Sequence, residues 1–244
     1  MTKNAGREFM RGTTYQHLAQ SDQQKGLPQP PLELPYDAGR PLIDLPAPAE
    51  VVVPPCDLRA AIENRRSIRH YAEEALGLDE LSFLLWCTQG VRHVGPHATF
   101  RTVPSAGARH AFETYLLANN VSDLTPGLYR FLAMAHRLVA ADLTPGIAEQ
   151  ITEAALDQQF VRASAVTFIW TAVVERMAWR YGERGYRYLH LDAGHVCQNL
   201  YLAAEAISCG VCAIAAFNDA AMNRVIGVDG DEQFVIYMAT VGKR

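Results

Sequence analysis

The chain contains 244 residues, of which 49% are hydrophobic and 20% are charged, so it can bury the core of one large domain or two small ones. Its formal net charge of -4 argues against a general binder of nucleic acids or anionic membranes, because both partners require a positive field. The longest apolar run, residues 164–174, is shorter than the ~20 residues of a membrane helix, and the N-terminal residues contain no apolar core of signal-peptide length.

The first predicted element is an extended arm, residues 1–56. Residues 28–55 hold nine of the chain's thirteen prolines, which exclude a helix or a central strand there. The same stretch also carries leucines and a Val51–Val53 run, which a disordered linker would lack. We therefore expect an arm that lies against a surface such as that of a second subunit, followed by one domain over residues 57–244.

Regular elements follow from Asp57, which can cap a helix running through Ile62. Gly90 is expected to close a second helix, and Gly95 and Pro96 favour a loop over 92–110. Periodicity and turn residues then predict strands over 112–118, 127–132, 136–140, 164–174, 211–217 and 233–242, and helices over 145–157, 187–208 and 218–227. Helices and strands mix without strict alternation, which favours an α+β fold.

Three arginines lie within five positions of the stretch ENRRSIRHY, residues 63–71: Arg65, Arg66 and Arg69. Either the cluster is a solvated helix end paired with nearby glutamates, or it binds an anion that the chain does not supply. Neither a G-x-x-x-x-G-K-[ST] motif nor a G-x-G-x-x-G motif after a strand is present. A P-loop nucleotide site and a Rossmann dinucleotide site are therefore not expected.

Cys209 and Cys212 form the chain's C-x-x-C motif, which suggests a redox dithiol, half of a zinc site or two buried small residues. We favour the last interpretation, because no second C-x-x-C motif accompanies it. Five cysteines without a disulfide-framework spacing predict reduced thiols and a cytoplasmic protein. No metal site is expected.

Polar residues interrupt or flank the apolar face of the helix predicted over 187–208. His195 could relay a proton with Asn199, one turn further along the helix. More commonly, such residues, here with Gln198, form hydrogen bonds in a core or a dimer seam. We favour the second interpretation.

Several motifs in order resemble the FMN-dependent nitroreductase family. They are R-R-S-I-R-x-Y, P-S-A-G-A-R-H at 104–110, GLYRF, AGHVCQNLYLAAEA at 193–206, GVCAIAAFND at 210–219 and the terminal VGKR. The pattern is most similar to the branch of azoline-oxidising dehydrogenases of peptide natural-product pathways, and it covers residue 57 to the end. The resemblance implies an α+β fold with a mixed or antiparallel central sheet flanked by helices, in an intertwined homodimer.

The resemblance also implies a set of FMN contacts. Arg65, Arg66 and Ser67 would contact the phosphate and the ribityl chain, and Arg69 the pyrimidine edge of the ring. Lys243 and Arg244 would clamp the phosphate. Small residues would let the backbone approach the flavin closely. The partner subunit would contribute Pro104, Ser105, Ala106 and Gly107, and the backbone near the flavin N5 atom would be that of Ala213, Ile214, Ala215 and Ala216.

This chain departs from the family pattern where Ala111 stands in place of a proline before the strand. Its catalytic side chains are unknown from the sequence. Tyr181 and Tyr188, in WRYGERGYRY, are candidate proton donors, and the neighbouring Arg184 and Arg187 could hold a substrate carboxylate. For each of these residues, and for Tyr186, a charged and aromatic helix surface or a dimer interface is the favoured interpretation.

The expected function is an FMN-dependent oxidoreductase. It would move two electrons in a ping-pong cycle between NADH or NADPH, or an oxidisable small molecule, and an acceptor such as a nitroaromatic or a quinone. The alternatives are a non-enzymatic flavin-sequestering protein, an azoline-type dehydrogenase acting on a peptide, and an FMN-consuming enzyme of the lower-ligand synthase type. A small-molecule substrate is expected, and neither nucleic acid nor membrane as a partner.

Overall fold

A seven-stranded antiparallel sheet runs through the centre of the molecule. The computed structural model describes residues 4–244. In sheet order the strands are β1 (Leu42–Asp44), β6 (Arg137–Asp142), β5 (Gly127–Leu132), β4 (Phe112–Ala118), β7 (Val166–Val173), β9 (Gln233–Lys243) and β8 (Cys209–Ile214). A separate hairpin pairs β2 (Val91–Val94) with β3 (Thr99–Arg101).

Helices cover both faces of this sheet. They are α1 (Ala5–Gly12), α2 (Leu58–Asn64), α3 (Leu78–Gln89), α4 (Ile147–Ala154), α5 (Phe160–Ala163), α6 (Val174–Tyr181), α7 (Gly185–Ala206) and α8 (Asp219–Ile226). One buried cluster joins α3, α6 and α7 to one face, and a second joins α4, α5 and α8 to the other. The predicted α+β class with an antiparallel sheet is confirmed.

Several predicted boundaries agree closely with the structure. Strand β4 spans the predicted residues, and the two following strands form the predicted hairpin. The carboxylate of Asp57 accepts a hydrogen bond from the N–H of Ala60 at 2.8 Å, so it caps α2 as expected. Asn218 caps α8 in the same way, accepting from the N–H of Ala221 at 3.0 Å.

Two parts of the chain differ from the prediction. Residues 92–110 were expected to form a loop but contain β3 and most of β2, because Gly95 and Pro96 lie at the hairpin turn and do not break a longer element. The strand predicted to run through Val174 ends at Val173, where α6 begins. No side chain caps α6 at that point, so the sequence carried no start signal.

The proline-rich arm contains no helix over residues 28–55, and its only strand is β1 at the edge of the sheet. It packs on the body of its own chain. Arg176 donates to the carbonyl of Pro31 at 2.8 Å, and Ser82 donates to that of Pro46 at 2.6 Å. Contact of the arm with a second subunit stays a prediction. The expectation of an extended arm is wrong for Ala5–Gly12, which form helix α1. Residues 1–3 of the predicted arm lie outside the described part of the chain.

Candidate functional site

The arginine segment lies along the outer edge of the sheet. After α2 ends at Asn64, Ser67 forms a parallel bridge to Val211 of β8, and the N–H of Ile68 donates to the carbonyl of Val211 at 2.9 Å. Gly210 permits this close approach, because a Cβ there would lie 2.6 Å from the Cβ of Ile68. The segment that carries the arginines is therefore held against strand β8.

Nearby glutamates do not neutralise the three arginines. Glu63 forms a 2.8 Å ion pair with Arg59 instead. No carboxylate among residues 4–244 lies within 4.0 Å of the guanidinium of Arg65, Arg66 or Arg69. Of the two interpretations left open by the sequence, the structure therefore favours a cationic cluster available to an anion.

Contacts within the protein hold two of these guanidinium groups in place. Arg65 lies over the ring of Tyr201, with its Cζ atom 5.3 Å from the ring centroid. Arg66 donates through Nη1 to the carbonyls of Glu63, at 2.8 Å, and of Arg65, at 3.0 Å. Such preorganisation reduces the entropy that anion binding would cost.

Tyr201 of α7 joins the arginine segment to β8. Its hydroxyl oxygen is 3.0 Å from Oγ of Ser67 and accepts a hydrogen bond from the N–H of Ala213 at 2.9 Å. Strand β8 ends at Ile214, and the N–H of Ala215, directly after it, has no acceptor within residues 4–244. Ala215 and Ala216 are small and exposed, so the strand against which the arginine segment lies is followed by a backbone donor without a partner.

The terminal cations, Lys243 and Arg244, pair with glutamates in the structure. Ser67 lies opposite Val211, whereas Lys243 lies opposite Cys209, two residues earlier on β8. The Nζ atom of Lys243 is 2.5 Å from Oε1 of Glu80, and Arg244 pairs with Glu205. The structure does not bring these two charges to Ser67 as free groups, so their role as a phosphate clamp stays a prediction.

The P-S-A-G segment, residues 104–107, lies against α6 and the first half of α7. The N–H of Ala106 donates to both carboxylate oxygens of Asp192, at 3.2 and 3.3 Å. Gly107 has φ 58°, and a Cβ there would lie 2.5 Å from the hydroxyl of Tyr181. Pro104 is exposed, and the hydroxyl of Ser105 accepts from the N–H of His110 at 2.9 Å.

Asp192 is a site residue that the sequence did not reveal. It is only 4% exposed, and burial raises the pKa of its carboxyl, although hydrogen bonds from Ser105 and Ala106 oppose that shift. It precedes Tyr201 by nine positions on one helix, which corresponds to roughly 14 Å. Within one chain, the P-S-A-G segment and the arginine segment therefore contact different parts of α7.

The two candidate catalytic tyrosines lie together behind the P-S-A-G segment. Their rings meet edge to face, with centroids 4.7 Å apart. Burial acts to raise the pKa of Tyr188, but hydrogen bonds from the hydroxyl of Tyr15 and from Arg184 outweigh it, and the pKa is lowered. A lowered pKa makes a phenol a better proton donor.

The neighbouring arginines serve the N-terminal segment. Arg184 donates to the carbonyl of Thr13 at 2.9 Å, and Arg187 donates to the hydroxyl of Thr13 at 2.6 Å. Both guanidinium groups thus anchor the residues that follow α1. The structural interpretation favoured for these arginines agrees with this arrangement, and the binding of a substrate carboxylate by either stays a prediction.

The thiols of the C-x-x-C motif lie on opposite faces of the sheet, because residues three apart on a strand point in opposite directions. Burial raises the pKa of Cys209 to about 12 and also raises that of Cys212. No group of metal-ligating side chains is found among the described residues. The interpretation of two buried, unreactive cysteines is supported.

The polar residues of α7 behave in two ways. Asn199 donates to the carbonyl of Cys87 at 2.9 Å, which is the core hydrogen bond expected of it. His195 and Gln198 are exposed on this chain, so they do not belong to its core, and the alternative of a dimer seam stays a prediction.

Comparison with known proteins identifies the relatives of this chain. The model of the nitroreductase family matches residues 62–243. A protein of Methanocaldococcus jannaschii named as a nitroreductase is 32% identical over 187 residues, which cover 77% of this chain and 91% of that protein.

No helix in residues 4–244 has the length and apolar character needed to cross a bilayer.

Solved structures share the fold. A nitroreductase-type protein from Anabaena variabilis is 31% identical with a TM-score of 0.65, over 77% of this chain and 38% of that one. The Escherichia coli microcin synthetase McbBCD, in complex with truncated pro-MccB17, has a TM-score of 0.60 over 87% of this chain and 78% of that one. At 17% identity, the second likeness concerns the fold alone.

Proposed function

Because the chain belongs to the nitroreductase family and is an oxidoreductase, we propose that it binds FMN non-covalently and transfers two electrons between a donor and an acceptor. The observation that carries this proposal is the cluster of arginines without carboxylate partners beside Ser67, together with the free N–H of Ala215 just after the end of β8. The arginines and Ser67 are donors of the kind that a phosphate requires. The free N–H can donate to a ring nitrogen of a flat heterocycle.

The residues present fit each part of FMN. Arg65, Arg66 and Ser67 supply cationic and hydroxyl donors for the phosphate and the ribityl chain. The small residues Ala215 and Ala216 leave the edge of β8 open for the ring, and the N–H of Ala215 can donate to a ring nitrogen. Lys243 and Arg244 can join the phosphate only by exchanging their glutamate partners.

FMN, when bound, supplies the two-electron chemistry that amino-acid side chains lack. The residues of this chain would hold the FMN and influence the charge of its ring. Arg69 has no carboxylate partner and would place a positive charge near the pyrimidine edge, where it favours a negatively charged ring. Tyr181, next to Gly107, and Tyr188, with its lowered pKa, remain the candidate proton donors.

We propose that the working form is a homodimer. The P-S-A-G segment and the arginine segment lie about two and a half helical turns apart along α7 of one chain. A two-fold related copy can bring the P-S-A-G segment of one subunit to the arginine segment of the other, which makes each site composite. Light scattering tests this point, and a monomeric flavin-loaded protein would contradict it.

The proposed electron donor is NADH or NADPH, and the proposed acceptor is a nitroaromatic or a quinone. A second candidate is an azoline-type dehydrogenation of a peptide, favoured by the fold shared with microcin synthetase and its bound pro-peptide. A flavin-sequestering protein and an FMN-consuming enzyme of the lower-ligand synthase type are the remaining alternatives, and no contact in the structure favours either.

Stopped-flow reduction of the flavin-loaded protein by NADH and by NADPH separates these functions. The proposal expects fast bleaching, followed by reoxidation when a quinone or a nitroaromatic is added. An inert flavin would indicate sequestration, and fragmentation of the flavin during aerobic reduction would indicate the FMN-consuming reaction. Reoxidation coupled to a peptide substrate alone would select the dehydrogenase.

A further inference from the structure

A cavity of about 370 Å³ lies between the proline-rich arm and the face of the sheet that also carries α8. Tyr115, Leu128 and Arg130 project from the two central strands that form its floor. The arm covers it with Pro35 and Tyr36, and the end of α8 adds Val225 and Ile226 at its side. The lining combines these aromatic and aliphatic groups with four charged side chains, Asp37, Arg40, Arg130 and Asp142.

Arg130 is the unusual member of this lining. It is only 7% exposed, and it lies directly opposite Tyr115 on β4 and Val139 on β6. Its Nη2 atom donates to the carbonyls of Leu34 and Pro35, each at 3.0 Å, whereas its Nε atom is buried without an acceptor. No carboxylate among residues 4–244 lies within 4.0 Å of it. A buried cation without a counter-charge is unfavourable.

The other charged groups of the cavity already have partners. Asp142 accepts from the N–H of Thr144 at 2.8 Å and from its hydroxyl at 2.7 Å. Arg40 donates to the carbonyls of Ala140 and Ala141 and lies 3.8 Å from Asp37. Arg130 is therefore the lining cation without a carboxylate within 4.0 Å among residues 4–244; Glu33 acts on it only from a longer distance, and the hydroxyl of Tyr115 is its side-chain hydrogen-bond partner.

We propose that this cavity binds a small aromatic monocarboxylate. The carboxylate would accept from Nη1 of the Arg130 guanidinium, because Nη2 already donates to the carbonyls of Leu34 and Pro35. The ring would lie among Tyr36, Tyr115 and the aliphatic side chains. Because a cavity of about 150 Å³ already accommodates benzene, the volume here suits a one- or two-ring acid.

The cavity is separate from the proposed flavin site. Strand β5, which carries Arg130, lies four strands from β8 in the sheet, which corresponds to roughly 19 Å. This inference therefore does not depend on the proposed function. Its test needs a readout that does not come from the flavin.

The test is calorimetric titration of the flavin-loaded protein with 2-naphthoate, with neutral 2-naphthamide as the matched ligand. We expect 2-naphthoate to saturate at one molecule per chain and the amide to bind at least tenfold more weakly. Arg130→Met should reduce the affinity for 2-naphthoate at least tenfold. Arg224→Met, the same change of charge on the exposed surface of α8, should leave it unchanged.

A second variant covers the case in which Arg130→Met fails to fold. Ala141→Phe keeps the arginine but fills the cavity, and it should abolish binding of 2-naphthoate. Absence of saturable 2-naphthoate binding to the unmodified protein would overturn the proposal. Equal affinities for 2-naphthoate and 2-naphthamide would also overturn it. The same holds if 2-naphthoate perturbs the flavin spectrum and still binds to the folded Arg130→Met or Ala141→Phe variant.

Discussion

The hydroxyl oxygen of Tyr201 lies 3.0 Å from Oγ of Ser67, and the same oxygen accepts from the N–H of Ala213 at 2.9 Å. One side chain of α7 therefore contacts both parts of the proposed flavin site: the segment that carries the arginines and the end of strand β8. Its ring also supports the guanidinium of Arg65.

Tyr201→Phe removes this hydroxyl while keeping the ring. We expect the free energy of unfolding to fall by about 1–3 kcal/mol, because the N–H of Ala213 loses its acceptor. The affinity for FMN should fall as well. Urea unfolding and an FMN titration measure the two effects. Tyr129→Phe, which loses a hydrogen bond to the carbonyl of Thr125 and lies on β5, four strands from β8, should leave the affinity unchanged. Unchanged FMN binding in Tyr201→Phe would contradict this role.

Arg65→Ala should weaken FMN binding by about 1–3 kcal/mol, or roughly 5–150-fold, because it removes a charged donor to the phosphate. Ser67→Ala should have a smaller effect in the same direction. Arg59→Ala is the matched control, since Arg59 already pairs with Glu63 on the exposed side of α2. Fluorescence titration with FMN gives the three affinities. Equal losses in Arg59→Ala and Arg65→Ala would show that only overall charge matters.

Gly210→Ala tests the close packing of the arginine segment on β8. The added Cβ would lie 2.6 Å from the Cβ of Ile68, so the segment must shift, and we expect a loss of about 1–3 kcal/mol in the free energy of unfolding. Gly194→Ala meets no atom within 4 Å in α7 and should be neutral or stabilising by up to ~1 kcal/mol. Similar thermal stability of the two variants would rule out this packing constraint.

His110 is predicted to make the fold sensitive to acid. Burial, assisted by the charges of Arg101 and Arg109, lowers the pKa of its imidazole to about 3. Below the ordinary pKa of about 6.5, the unfolded chain binds a proton at this residue that the folded chain does not, so stability is lost as the pH falls from 6.5 towards 3. The slope can reach about 1.4 kcal/mol per pH unit.

Asn is the chosen replacement for His110, because it tolerates the positive φ of 43° at this position. The difference in free energy of unfolding between His110→Asn and the unmodified chain, measured from pH 7 to pH 4, should shift in favour of the variant as the pH falls. Parallel curves would show that His110 does not contribute.

The sequence predicted those parts of the fold that local signals specify. Strand β4 and the hairpin after it follow from apolar runs bounded by turn residues, and Asp57 and Asn218 are helix caps that the structure confirms. Helix α6 was missed because Val173 and Val174 continue an apolar run across the point where the strand ends.

The site was predictable only as far as motifs reach. The arginine segment could be singled out because its residues are contiguous. The partners of the other groups are distant: Asp192 lies 86 residues from Ala106, and Glu80 lies 163 residues from Lys243. No periodicity or turn residue signals such pairings, which arise only when the sheet assembles.

The central claim is that the unpaired arginines bind the phosphate of FMN, and it is tested most directly by titrating the flavin-free protein with FMN and with riboflavin. We expect saturable binding of one FMN per chain and an affinity for riboflavin, which lacks the phosphate, at least tenfold lower. Equal affinities for the two flavins, or no saturable binding of FMN, would contradict it.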